Sequence, residues 1–149
     1  DVQNLIRRLS YDARTAEDKR EEPLEATAER LLRMMLFVDA VEYTEPIWGR
    51  REFVEQFSRR AVRDTQGRSL REFDLTRRLF RHPLSYVIYS PAFDALPDDA
   101  KGIFQRRLNE VLTGRDTSED FAQLTAADRT SILEILRDTK PDFATGVAN

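Results

Sequence analysis

The sequence predicts an all-α protein, a compact single-domain bundle of about six helices over residues 1–149. Three observations predict it. Apolar residues recur at three- and four-residue steps along most of the chain. Proline, glycine and Ser/Thr/Asp signals stand at the ends of those runs. One stretch alone, 84–89, is strand-like in content, and no second strand exists to satisfy its backbone.

The first helix is carried by Val2, Leu5, Ile6, Leu9, Ala13 and Ala16, and it fades at the charged run 17–22. Pro23 opens a second helix, where a missing N–H has no helical partner in any case. Leu24, Ala28, Leu31, Leu32, Met35 and Leu36 give that helix a wide apolar face, which predicts a central place in the core. Glu29 and Arg33 stand four apart in the order that favours pairing on its outer side. The helical period lapses over 41–49, where Glu45-Pro46 disfavours helix and Trp48 sits in a loop.

A third helix is predicted over Arg50–Arg63, with Phe53, Val54, Phe57 and Ala61 inward. Asp64-Thr65-Gln66-Gly67 is a turn by composition. Ser69-Leu70-Arg71-Glu72 matches a capping box, which predicts a fourth helix from Leu70 to just before His82-Pro83, with Leu70, Phe73, Leu79 and Phe80 in the core. Leu84–Tyr89 then reads as a short buried helix opened by Pro83 and closed by Pro91, with one more turn from Pro91 to Ala95. The Arg81–Pro91 segment is expected to thread the middle of the bundle.

Pro97-Asp98-Asp99 places a proline and two carboxylates at the positive end of the next helix dipole. Ile103, Phe104, Leu108, Val111 and Leu112 continue that helix, and Gly114 suits its C-terminal cap. After a connector at 121–124, Thr125-Ala126-Ala127-Asp128 resembles another cap. Ile132, Leu133, Ile135 and Leu136 extend the last helix until Pro141, and Ala144–Asn149 is expected to be a frayed tail.

Composition narrows the function classes. There is no cysteine and one histidine, which removes disulfides, thiolate zinc sites, iron–sulfur clusters and two-histidine metal centres. Asp98-Asp99, Glu21-Glu22 and Asp116 with Glu119-Asp120 read as helix-end and surface carboxylates, and no metal or cofactor is predicted. Phosphate-binding glycine loops and nucleophile elbows are absent from the sequence. No apolar run approaches a membrane span, so the expectation is a soluble domain whose compartment the sequence leaves open. The chain begins at Asp1 with no signal-peptide pattern, which implies a processed or partial chain and leaves an upstream export signal or further domain open.

Net charge is −3, unevenly distributed. Residues 1–49 sum to −4, residues 50–81 to +5 and residues 82–149 to −4. Arginine supplies 21 of the 24 basic residues, a bias that fits genome composition and also carboxylate or phosphate recognition. Acidic flanks folded over a basic centre explain the pattern most simply.

The lone histidine, His82, is the candidate catalytic group. It follows Arg77, Arg78 and Arg81 and precedes Tyr86 and Tyr89. No nucleophile–base–orienter set accompanies it, so the first reading is a non-catalytic helical interaction module. Such a module binds another protein, or another domain of its parent chain, near Trp48 and the 77–90 segment. The alternative is a small-anion receptor or enzyme using Arg77, Arg81, His82, Tyr86 and Tyr89. Third comes nucleic-acid binding through the basic 50–81 region, marked down because the whole chain is acidic.

Overall fold

The computed structural model describes residues 1–40, 51–74 and 78–144. Trp48, Arg50, Arg77, the Glu45-Pro46 break and the tail beyond Ala144 lie outside these residues. The described residues form seven α-helical segments, α1 (Val2–Arg14), α2 (Leu24–Met35), α3 (Arg51–Arg59), α4 (Pro91–Asp94), α5 (Asp98–Leu112), α6 (Ala126–Thr139) and α7 (Pro141–Ala144). The fold is all-α, as the periodicity predicts.

The apolar stripes decide the packing. α1 lies on α2, and both pack against α5, which also supports α6. Ile6 and Leu9 from α1 meet the wide face of α2 in one buried cluster, joined by Phe104, Leu108 and Val111 of α5 and by Ile132, Ile135 and Leu136 of α6. Burying one such side chain stabilises the fold by about 1.5–3 kcal/mol. The segment after His82 does run through this core: Leu84 and Ile88 are fully buried. Residues Tyr86–Tyr89 form a single 3-10 turn, capped by the Ser85 hydroxyl, which accepts from the Val87 N–H at 3.2 Å. The Ser85 N–H donates to the Met35 carbonyl at 2.8 Å, so this segment satisfies an orphan carbonyl at the end of α2.

Helix ends follow their sequence signals. Thr125 and Asp128 form a reciprocal capping box on α6. Gly114, with φ of 79°, takes the left-handed position after α5 that glycine adopts without penalty. At the end of α2, however, the left-handed residue is Phe37, with φ of 57°. The Val38 N–H returns to the Arg33 carbonyl at 3.0 Å, the long bond of a Schellman motif. Phe37 holds this disfavoured conformation while its ring packs on Phe80 at 5.6 Å.

Three expectations need correction. The fourth helix does not form. Instead the chain reverses twice, through isolated antiparallel bridges Arg63–Ser69 and Phe73–Phe80. Half of the predicted capping box exists, because the Glu72 carboxylate accepts from the Ser69 N–H at 3.0 Å. The Ser69 hydroxyl, though, accepts from the N–H of Arg71, two residues on, and closes a local turn that competes with helix. The third helix ends at Arg59 rather than Arg63, and Phe53 points outward at 59% exposure, as does Leu79 at 41%. Finally, Glu29 and Arg33 do not pair with each other. Glu29 forms a two-point bond with Arg107 of α5 at 2.8 Å, while Arg33 reaches Asp120 at 3.1 Å. Both side chains serve contacts between distant segments instead of a pair within one helix.

Candidate functional site

The predicted site residues within the described chain separate in space. Arg81 is exposed and lies 3.6 Å from Glu72. His82 is 7% exposed, and its Nε2 has no hydrogen-bond partner. Tyr89 turns to α6, where its hydroxyl meets Thr139 Oγ1 at 2.7 Å. Tyr86 presents its ring edge to Phe57 at 5.3 Å. Burial pushes the Tyr89 hydroxyl above its ordinary pKa, with the Thr139 bond opposing and Asp64 adding to the rise. A tyrosine so held is a packing group with a satisfied hydroxyl.

Burial likewise pushes His82 below the ordinary histidine pKa. Glu72 opposes this, while Arg68, Arg81 and Arg78 add to it. The consequence for stability has a definite sign. Protonation is easier in the unfolded chain, so stability is full above the unfolded pKa of about 6.5 and is lost as pH falls through that value towards the lower folded one. The melting temperature of the wild-type chain should therefore fall between about pH 7 and pH 5, and His82→Gln should flatten that part of the profile. Parallel profiles for the two proteins would refute the assignment.

Three arginines of the basic centre are engaged internally. Arg63 donates to the Gly67 and Ser58 carbonyls. Arg68 bridges Asp64 at 2.7 Å and Glu134 at 2.9 Å. Arg78 grips Asp128 with two bonds of 3.0 and 2.7 Å. Arg68 and Arg78 thus dock the double reversal onto α6, which supplies Glu134 and Asp128, and α6 also supplies Asp138. Asp138 accepts from both the N–H and the hydroxyl of Thr65.

One constellation is not legible in the sequence as a site. Phe53, Phe57, Phe73 and Phe80 form a continuous ring stack, with neighbouring centroids at 6.0, 5.0 and 5.3 Å. It runs from the exposed Phe53 to the buried Phe80. Arg71 lies over two of the neighbouring rings, with its Cζ 4.5 Å from the Phe57 centroid and 4.3 Å from that of Tyr86. Such cation–π contacts favour a guanidinium whose water has been partly removed. A signal exists in the i, i+4 spacing of Phe53 and Phe57, but periodicity alone reads both rings as inward.

No protein-family model, curated protein or solved structure matches this chain. Among the described residues, no group of three or more histidine or carboxylate side chains lies together as metal ligands would. No described helix is long and apolar enough to cross a membrane.

Proposed function

We propose that this chain is a non-catalytic helical interaction module, binding another protein or another domain of its parent chain through the aromatic face built on α3. The observation that carries the reading is Phe53, a phenylalanine 59% exposed at the outer end of a ring stack. A scattered apolar side chain on a surface is ordinary, whereas one continuous with a stacked cluster marks a contact surface. Aromatic and arginine side chains are also the types enriched at interface centres.

The receptor-or-enzyme alternative finds less support. His82 faces the interior, Tyr89 is bonded to Thr139, and Tyr86 packs by its ring among phenylalanines. Nucleic-acid binding through 50–81 finds less support as well, because Arg63, Arg68 and Arg78 are held by internal acceptors.

The test is photo-crosslinking in the native organism, with a benzophenone side chain in place of Phe53 and, as control, in place of Tyr11, an exposed aromatic on α1. We expect a discrete protein adduct from position 53 that position 11 does not give. Equal labelling from both positions would overturn the reading. So would a metabolite that raises the melting temperature and loses this effect in His82→Gln.

A further inference from the structure

The outer face of α3 is not purely apolar. Phe53, Gln56 and Phe57, with Arg60 just beyond the helix end, stand at i, i+3, i+4 and i+7, and together with Arg71 they line a notch of about 160 Å³. Among the described residues, two cations line it and no carboxylate does. Arg8, Arg30, Arg33, Arg68, Arg78, Arg81 and Arg107 all meet carboxylates within the chain. Among the described residues, the Arg71 guanidinium meets two ring faces and makes a long hydrogen bond of 3.4 Å to the Phe57 carbonyl, none of them anionic.

We infer that this notch recognises an acidic side chain, Asp or Glu, of a partner protein segment that lays an apolar neighbour on Phe53. The inference deepens the interaction reading above and depends on it. Volume supports a single side chain as the occupant. Pockets that hold whole small molecules run to roughly 300–1,000 Å³, well above the about 160 Å³ available here. Charge supports the acidic class, since a planar guanidinium presents paired donors that match a carboxylate. The ring faces beneath Arg71 support it further, because they restrict the guanidinium before any ligand arrives and reduce the ordering that binding requires. A phosphate would match the same donors. A nucleic acid, however, must be followed along its backbone by several cations, and Arg63, Arg68 and Arg78 are held elsewhere.

The test pans the whole chain against a random-peptide library displayed on phage. The expected consensus sets Asp or Glu close to a large apolar residue. With a synthetic consensus peptide, Arg60→Gln and Arg71→Gln should each weaken binding about tenfold or more, added salt should weaken it further, and Phe53→Ser should abolish it. Arg71 packs on rings, so where Arg71→Gln lowers the melting temperature, Arg60→Gln at the exposed end of α3 decides. A consensus lacking acidic residues, or affinity indifferent to both arginine substitutions, overturns the acidic partner while leaving the crosslinking result at position 53 intact. Failure to enrich any peptide overturns it too, as does tighter binding of duplex DNA through the same arginines.

Discussion

Replacing Arg129 with alanine should destabilise the protein by about 4 kcal/mol and lower its melting temperature by roughly 10 °C. This residue lies on the inner face of α6 and is buried without a carboxylate among its hydrogen-bond partners. Its guanidinium donates to four backbone carbonyls: Val111 at 2.6 Å, Asp116 at 2.8 Å, Phe121 at 3.1 Å and Leu124 at 3.3 Å. Those carbonyls belong to the last turn of α5 and to the irregular segment that leads into α6. One planar side chain therefore ties the end of α5 to the segment before α6, and it is the donor to the Asp116 and Leu124 carbonyls, which lie outside the helices. Alanine would take the donor from the Asp116 and Leu124 carbonyls, leave Val111 and Phe121 with only their backbone bonds from Gly114 and Leu124, and open a cavity beside Phe121. Lysine keeps the charge but offers a single ammonium, so Arg129→Lys should retain only part of the lost stability. Calorimetric melting of the three proteins checks the order. A loss below about 1 kcal/mol in the alanine variant would refute the clamp.

Asp64→Ala should produce the second large effect, about 3 kcal/mol. The Asp64 side chain is fully buried within the first reversal. Its Oδ1 accepts from the Gln66 N–H at 3.0 Å and the Arg68 N–H at 2.7 Å, and its Oδ2 accepts from Arg68 Nε at 2.7 Å. Removing the carboxylate orphans two amides and one face of a guanidinium that also reaches Glu134 on α6. An asparagine in its place would keep one acceptor oxygen and set an NH₂ group against Arg68, so Asp64→Asn should lie between the alanine variant and wild type. Burial alone would raise the Asp64 pKa, but the backbone N–H and guanidinium of Arg68 outweigh it and hold the carboxyl below its ordinary value. With the folded pKa depressed, the stabilisation is present above the unfolded value of about 3.9 and is lost as pH falls through that value to the folded one. Acid melting of wild type against Asp64→Asn, followed below about pH 4, should show the difference between them shrinking. A constant difference would refute the assignment.

Arg129 also shows where sequence reading could go further. It precedes Ile132, Leu133 and Leu136 at i, i+3, i+4 and i+7, so the phase of α6 places it among core residues. What the phase does not show is which distant carbonyls await it. The helices whose apolar stripes and caps agree, α1, α2, α5 and α6, are legible almost to their ends. The 69–81 stretch is not, because a serine and a glutamate three apart serve a capping box and a tight turn equally well. Tertiary docking by Arg78 onto Asp128 and ring stacking of Phe73 on Phe80 accompany the turn. The candidate side chains Tyr86, His82 and Tyr89 divide between the ring stack and the interior. The composition singles out Tyr86 and the basic centre, and Tyr86 and Arg71 do adjoin the ring stack. The residues with catalytic chemistry, His82 and Tyr89, are turned by burial into interior groups. Phe53 and Arg71, the residues on which the proposed function rests, are not marked as a pair by the sequence: spacing reads Phe53 as inward, and long-range packing fixes which way their faces point.

The mounting of α3 has a consequence of its own. Among the described residues, the other long helices pack broadly on one another, whereas the contacts of α3 with the body include side-chain rings, the Arg63 bonds to the Ser58 and Gly67 carbonyls and the Arg71 bond to the Phe57 carbonyl. Local opening can therefore release α3 at a smaller free energy than global unfolding, as a separate cooperative unit. Substitutions along its exposed side then fall on a surface whose variation the central bundle does not register. The same scaffold can be refitted for a different partner without rebuilding the interior that keeps it folded.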